Sequence, residues 1–141
     1  MYCIVKKNVV QYNYLIGNYI EEGETLQFEY KDEKVKKILC DTKILQRKVG
    51  LEIARKVKQR MNQLEATENF NMYLTKIGLG KPHPLLGVLD KCYAIHITKN
   101  YRMVVEPLET ELDMESLKKC KILNIKGVLE YHDGKNEWII P

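Results

Sequence analysis

Residues 93–106 read Y-A-I-H-I-T-K-N-Y-R-M-V-V-E, two β-rich runs on either side of T-K-N, which is the pattern of a hairpin. Upstream lies I-G-L-G-K-P-H-P-L-L-G (residues 77–87). Its two Gly and two Pro between positions 78 and 84 forbid regular structure and hold His83 between prolines. Downstream, an acidic stretch with Glu109, Glu111, Asp113 and Glu115 leads into I-L-N-I-K-G-V-L-E-Y-H (residues 122–132), a further strand. D-G-K-N-E-W-I-I (residues 133–140) then closes the chain as a D-G turn and a short strand. Together these make an antiparallel meander.

The half before it switches period. L-Q-F-E-Y (residues 26–30) alternates like a half-buried strand, and K-D-E-K-V-K-K-I-L-C (residues 31–40) takes helical spacing through Val35, Ile38 and Leu39. After Gly50, residues Ile53, Val57, Met61 and Leu64 form one stripe of an amphipathic helix that ends near Ala66. Residues 1–25 mix Tyr, Asn and aliphatics before the turn signal E-E-G-E, and read as an N-terminal extension, either a strand pair or an ordered arm. Residues 26–141 then form one α+β domain, a small antiparallel sheet with two N-terminal helices packed on one face.

With 141 residues, 45% of them apolar, the chain can bury one core without staples. No apolar run approaches the roughly 18 residues a membrane span needs. Cysteines at positions 3, 40, 92 and 120 have no paired spacing, so they read as reduced thiols of a cytoplasmic protein. The net charge of +4 is unevenly spread: residues 31–60 hold 11 Lys and Arg against 4 Asp and Glu. Such a stretch suits a polyanion partner, although Lys-rich helix faces are also commonplace as solvated surface.

The three histidines match no metal motif, so no metal site is expected. A serine triad is equally unsupported, since Ser116 is the only serine and G-x-S-x-G is absent. G-L-G-K-P is broken by proline where a phosphate-binding helix must begin, and no cofactor is expected. What remains is a set of His83, Arg102, Tyr131 and His132. Attack of an RNA 2′-hydroxyl on the adjacent phosphate needs a base, an acid and a cation, which His, Tyr and Arg supply. Tyr also offers a stacking face for an unpaired base. Each residue has a plainer account as well: His83 as a turn residue, Arg102 paired with Glu106 or another carboxylate, and Tyr131 as core. His96, alternating with apolar neighbours, reads as strand surface or core.

Four ordered segments carry a family resemblance. They are V-G-L-E-I-A-R-K-V-K-Q-R-M-N-Q-L-E-A-T-E-N-F (49–70), K-P-H-P-L-L-G (81–87), Y-A-I-H-I-T-K-N-Y-R-M-V-V-E-P (93–107) and V-L-E-Y-H (128–132). Across residues 26–132 the chain resembles the RelE/ParE superfamily of toxins, most nearly the HigB-like plasmid maintenance killer proteins. The resemblance implies a toxin of a type II toxin-antitoxin system, a ribosome-dependent mRNA endonuclease working in the A site of the small ribosomal subunit. Its implied partner is an antitoxin, often a helix-turn-helix DNA-binding protein. The family's site residues fall on His83, Arg102, Glu130, Tyr131 and His132. RNA contacts fall on Lys48, Arg55, Lys56, Lys58 and Arg60 of the basic helices, with Lys81 and Lys91. Two positions depart from the pattern. Leu86 stands where the family's H-P-L-K-G has lysine, leaving Lys81, Lys91 or Lys126 to replace that charge, and Glu130 stands where aspartate is usual. The rival readings are a ParE-like inhibitor that binds DNA gyrase without RNA chemistry, and a toxin-fold binding module.

Overall fold

The structure is a computed structural model and describes residues 25–76 and 78–141. The N-terminal extension thus lies outside the described residues, apart from the buried Thr25. Strand β1 (Gln27–Tyr30) is followed by helices α1 (Glu33–Cys40), α2 (Thr42–Val49), α3 (Leu51–Glu65) and α4 (Phe70–Thr75). The short strand β2 (His83–Pro84) and a single 3₁₀ turn (Gly87–Leu89) precede the hairpin of β3 (Tyr93–Thr98) and β4 (Tyr101–Pro107). Helix α5 (Met114–Lys119) leads to β5 (Ile122–His132) and β6 (Lys135–Ile140).

The α+β layout is the expected one, with more helices than the sequence pattern suggested. Asp41 divides the first basic stretch: it ends α1, and its carboxylate accepts from the amides of Lys43 and Ile44 at 2.9 and 3.1 Å to start α2. Gly50, at φ +87°, ends α2 and opens α3. The six-residue helices α4 and α5 also went unanticipated. Each is capped by a side chain, Asn69 onto Met72 N at 2.8 Å and Asp113 onto Ser116 N at 3.3 Å, and each buries an anchor, Phe70 with Tyr73 in α4 and Leu117 in α5. The acidic stretch is therefore partly a helix start, not only a linker.

The sheet runs β1-β5-β4-β3-β2, with β6 beside the second half of β5. Its pairs are antiparallel as expected except for β1, which lies parallel to the first half of β5. A four-residue strand has no hairpin to set its direction, and the helical layer after it supplies the crossover that parallel pairing requires. The Gly/Pro loop departs from expectation too, because His83 and Pro84 pair with Ala94 and Tyr93. Proline is tolerated there because β2 is an edge strand. The D-G turn is as read: Asp133 and Gly134 both take positive φ, 48° and 74°, the geometry that joins tight hairpins.

All packing follows from strand alternation. Ile95, Ile97, Met103, Val105, Leu123, Ile125 and Val128 point to one face and meet Leu39, Leu45, Val57, Met61 and Leu64 from the helices. Each fully buried aliphatic contributes about 1.5–3 kcal/mol. Phe70 sets its ring edge-on to Tyr93, with centroids 5.0 Å apart. The outer face has a smaller cluster of Cys92, Val104 and Leu129, covered by Leu85, Leu89 and Tyr131. Cys40, Cys92 and Cys120 are buried. Among the described residues, no helix is long and apolar enough to cross a membrane.

Candidate functional site

The outer face of the sheet gathers polar side chains where the inner face is apolar. Arg102 on β4 stands opposite His96 on β3 and Leu129 on β5. Residues directly opposite in a sheet share a face, so His96 and Arg102 are neighbours there. The guanidinium carbon of Arg102 lies 5.4 Å from the Tyr131 ring centroid, a cation–π contact. Its Nη1 donates to the carbonyls of Thr98, Lys99 and Tyr101 at 2.6, 3.2 and 3.0 Å, which fixes the β3–β4 turn. No carboxylate neutralises it among the described residues. Glu106, the partner considered from sequence, is ion-paired with Lys126 at 3.0 Å instead.

Tyr131 is partly buried, close to the plainer account of it as a core aromatic, and it keeps one side toward the arginine. It packs against the outer cluster and also faces Arg102, while its amide donates to Asn100 O at 2.6 Å and ties β5 to the hairpin turn. His83 is exposed at the sheet edge, and its pairing with Ala94 puts it on the outer face. Glu130 and His132 are different. Alternation along β5 gives them the parity of Val128, away from Tyr131. Glu130 faces Tyr101: burial first, then the Glu130 charge and hydrogen bond, push the Tyr101 hydroxyl up from its usual range. His132 is exposed and ends β5 opposite Lys135, beside the turn. Of the five expected site residues, the fold therefore brings His83, Arg102 and Tyr131 to one face.

The expected RNA-contacting cations divide as well. Lys56, Arg60 and Lys81 act electrostatically on His96. Arg60 donates from Nε to His96 O at 2.8 Å and from Nη1 to Gln63 Oε1 at 2.8 Å, which pins it at the end of β3. Gly80 makes this approach possible: it accepts from His96 N at 2.7 Å, and a Cβ on it would fall 2.7 Å from Ile95 Cγ2. Arg55 and Lys58 line a separate groove of about 520 Å³ with Leu45 and Leu51, and Lys48 lies in the last turn of α2. Lys91 shares a shallow depression with Glu106 and Glu109. Leu86, where the sequence resemblance implies a lysine, is 89% exposed. Among the candidates to replace that charge, Lys81 acts electrostatically on His96, while Lys126 is ion-paired with Glu106.

His96 is the residue that sequence reasoning passed over. Burial first, then Arg102, Arg60, Lys81 and Lys56, hold its imidazole below the ordinary value of 6.5. A signal existed in the hairpin itself. Closing the turn at Thr98 and Tyr101 with regular pairing would set Ile97 against Arg102. The apolar sets Ile95/Ile97 and Met103/Val105 share a face only if the register shifts, and the shift observed between His96 and Thr98 brings His96 against Arg102.

No family model matches the sequence, and no curated protein matches it. Among solved structures, the chain is similar to the YoeB/ParE toxin from Agrobacterium tumefaciens, at 14% identity over 76% of this chain and 99% of that one, with a TM-score of 0.46. It is also similar to the YoeB-YefM complex from Staphylococcus aureus, at 18% identity, 76% and 97% coverage and a TM-score of 0.44.

Proposed function

We propose that this chain is a toxin of a type II toxin-antitoxin system that cuts messenger RNA on the ribosome in the cytoplasm. The observation that carries the proposal is the outer sheet face, where Arg102, free of any carboxylate among the described residues, shares a surface with Tyr131 and His83. The motif resemblance to the RelE/ParE toxins, and to the HigB-like group in particular, supplies the substrate and the neutralising antitoxin.

In this reading Arg102 stabilises the charge that builds on the phosphate as the 2′-oxygen attacks. Tyr131 stacks on a base or gives a proton to the departing 5′-oxygen, and His83 is an acid–base candidate on the same face, while His132, with the other parity, flanks it at the end of β5. Glu130 supports the site from behind, through Tyr101. Lys56, Arg60 and Lys81 attract the RNA backbone to this end of the sheet, and Lys48, Arg55, Lys58 and Lys91 add weaker, salt-sensitive contacts. The chemistry asks for no metal or cofactor, because acid, base and cation all come from side chains.

The test is to incubate the purified protein with translating ribosomes and map mRNA 5′ ends. Cuts in phase with codons are expected. Intact mRNA, with gyrase supercoiling inhibited instead, would replace this reading with a gyrase binder, and neither effect would leave a binding module.

A further inference from the structure

We propose that His96 is the group that takes the 2′-hydroxyl proton in the RNA cleavage proposed above, on a phosphate held by Arg102 across the hairpin. The inference rests on that functional reading and adds a residue to it. Three observations single His96 out. It is the histidine that the register sets directly opposite Arg102, whereas His83 lies two residues further along on the neighbouring strand and His132 has the other parity. Its backbone is pinned at both ends, to Gly80 O and by Arg60 Nε at 2.7 and 2.8 Å, so the ring leaves a rigid part of the sheet. The charged groups around it are Arg102 from β4, Arg60 and Lys56 from α3, and Lys81 from the loop, all of them cations. Tyr131 from β5 faces the same Arg102.

A base must be neutral to accept a proton, and this surrounding favours the neutral imidazole near pH 7. The same cations attract the phosphodiester. In the step, the 2′-oxygen bonds to phosphorus as its proton passes to an imidazole nitrogen of His96, and the bond from phosphorus to the 5′-oxygen breaks. A proton from Tyr131 or His83 goes to that leaving oxygen. The products are a 2′,3′-cyclic phosphate and a 5′-hydroxyl, with no oxidant or further reactant required.

The experiment is single-turnover cleavage on translating ribosomes by the wild type, His96→Ala and His96→Gln, from about pH 5 to 8, with ribosome binding followed by sedimentation. For the wild type, the rate should rise with pH along a limb lying below the ordinary imidazole value. Both variants should bind ribosomes normally, lose a factor on the order of 10² to 10⁴ in rate and lose that limb. Added imidazole should restore part of the His96→Ala rate. A wild type that cuts, with either variant cutting at the same rate, overturns the role of His96 and leaves the functional reading standing. Slow variants that keep the limb and ignore imidazole overturn it too, since His96 would then only hold structure. A wild type that leaves mRNA intact overturns both.

Discussion

The two faces of the same sheet differ as sharply as any two parts of this molecule. On β3, Ile95 and Ile97 point inward to the helices and are almost fully buried, while His96 between them points outward and is only partly covered. On β4, Met103 and Val105 point inward, and Arg102 points outward. One covalent ribbon thus carries both the core and the candidate chemistry, separated by the thickness of a single pleat. Period-two alternation makes that economy possible, and it makes the two sets of residues separately testable.

The largest expected effect is on the outer face. Arg102→Ala should lower mRNA cleavage by about 10²–10³-fold, equivalent to about 2.7–4 kcal/mol at the transition state, and Arg102→Lys should lower it less. Loss of the turn hydrogen bonds should cost only about 1 kcal/mol of stability in a denaturant titration. On the inner face the pattern should invert. Ile95→Ala should cost about 2–5 kcal/mol of folding stability, with the cleavage rate per folded molecule unchanged. If Ile95→Ala slowed the proposed cleavage per folded molecule as much as Arg102→Ala did, the division between the faces would be wrong.

Gly127 tests the register that sustains the division. A Cβ there would fall 1.9 Å from the Ile140 carbonyl oxygen at φ +142°, so Gly127→Ala should destabilise by about 1–3 kcal/mol and loosen β6, seen as faster amide exchange in residues 135–140. Tyr73 reports on the inner layer through pH. Burial pushes its phenol up to about 12 against a weaker opposing effect of Arg60, and its hydroxyl donates to Leu79 O. The folded state therefore favours the protonated form. The resulting stabilisation is complete below pH 10 and is lost as pH rises through about 12. Tyr73→Phe should flatten the alkaline limb of a melting curve. The smallest effect belongs to Asp113, whose carboxyl is held below its usual 3.8 chiefly by its hydrogen bonding to Ser116. Its contribution is present above that value and fades as pH falls through the lower folded value, so Asp113→Asn should remove a slight acid dependence from the amide exchange of α5.

Much of this was legible in the residues. The β3–β4 pair, the D-G turn and the stripe of α3 each follow from local spacing that a few neighbouring residues set. Helices α4 and α5 escaped because six residues give fewer than two turns, and helices that short depend on Phe70, Tyr73 and Leu117 finding a core. The parallel docking of β1 escaped because its partner lies at residues 122–125, far along the chain. In the candidate site, Arg102, Tyr131 and His83 were recognisable from motif order. The separation of Glu130 and His132 from them was not, because E-Y-H reads as one signature although its successive members point to opposite faces.

By itself the sequence determined that residues 93–106 form a hairpin, that a basic helical layer precedes it, and that histidine, arginine and tyrosine are the available chemistry. These are properties of composition and of period, both written locally. Only the tertiary structure decided which of those side chains meet. Cross-strand register and a one-residue bulge set that, and both are fixed by burying Ile95, Ile97, Met103 and Val105 together beneath the helices.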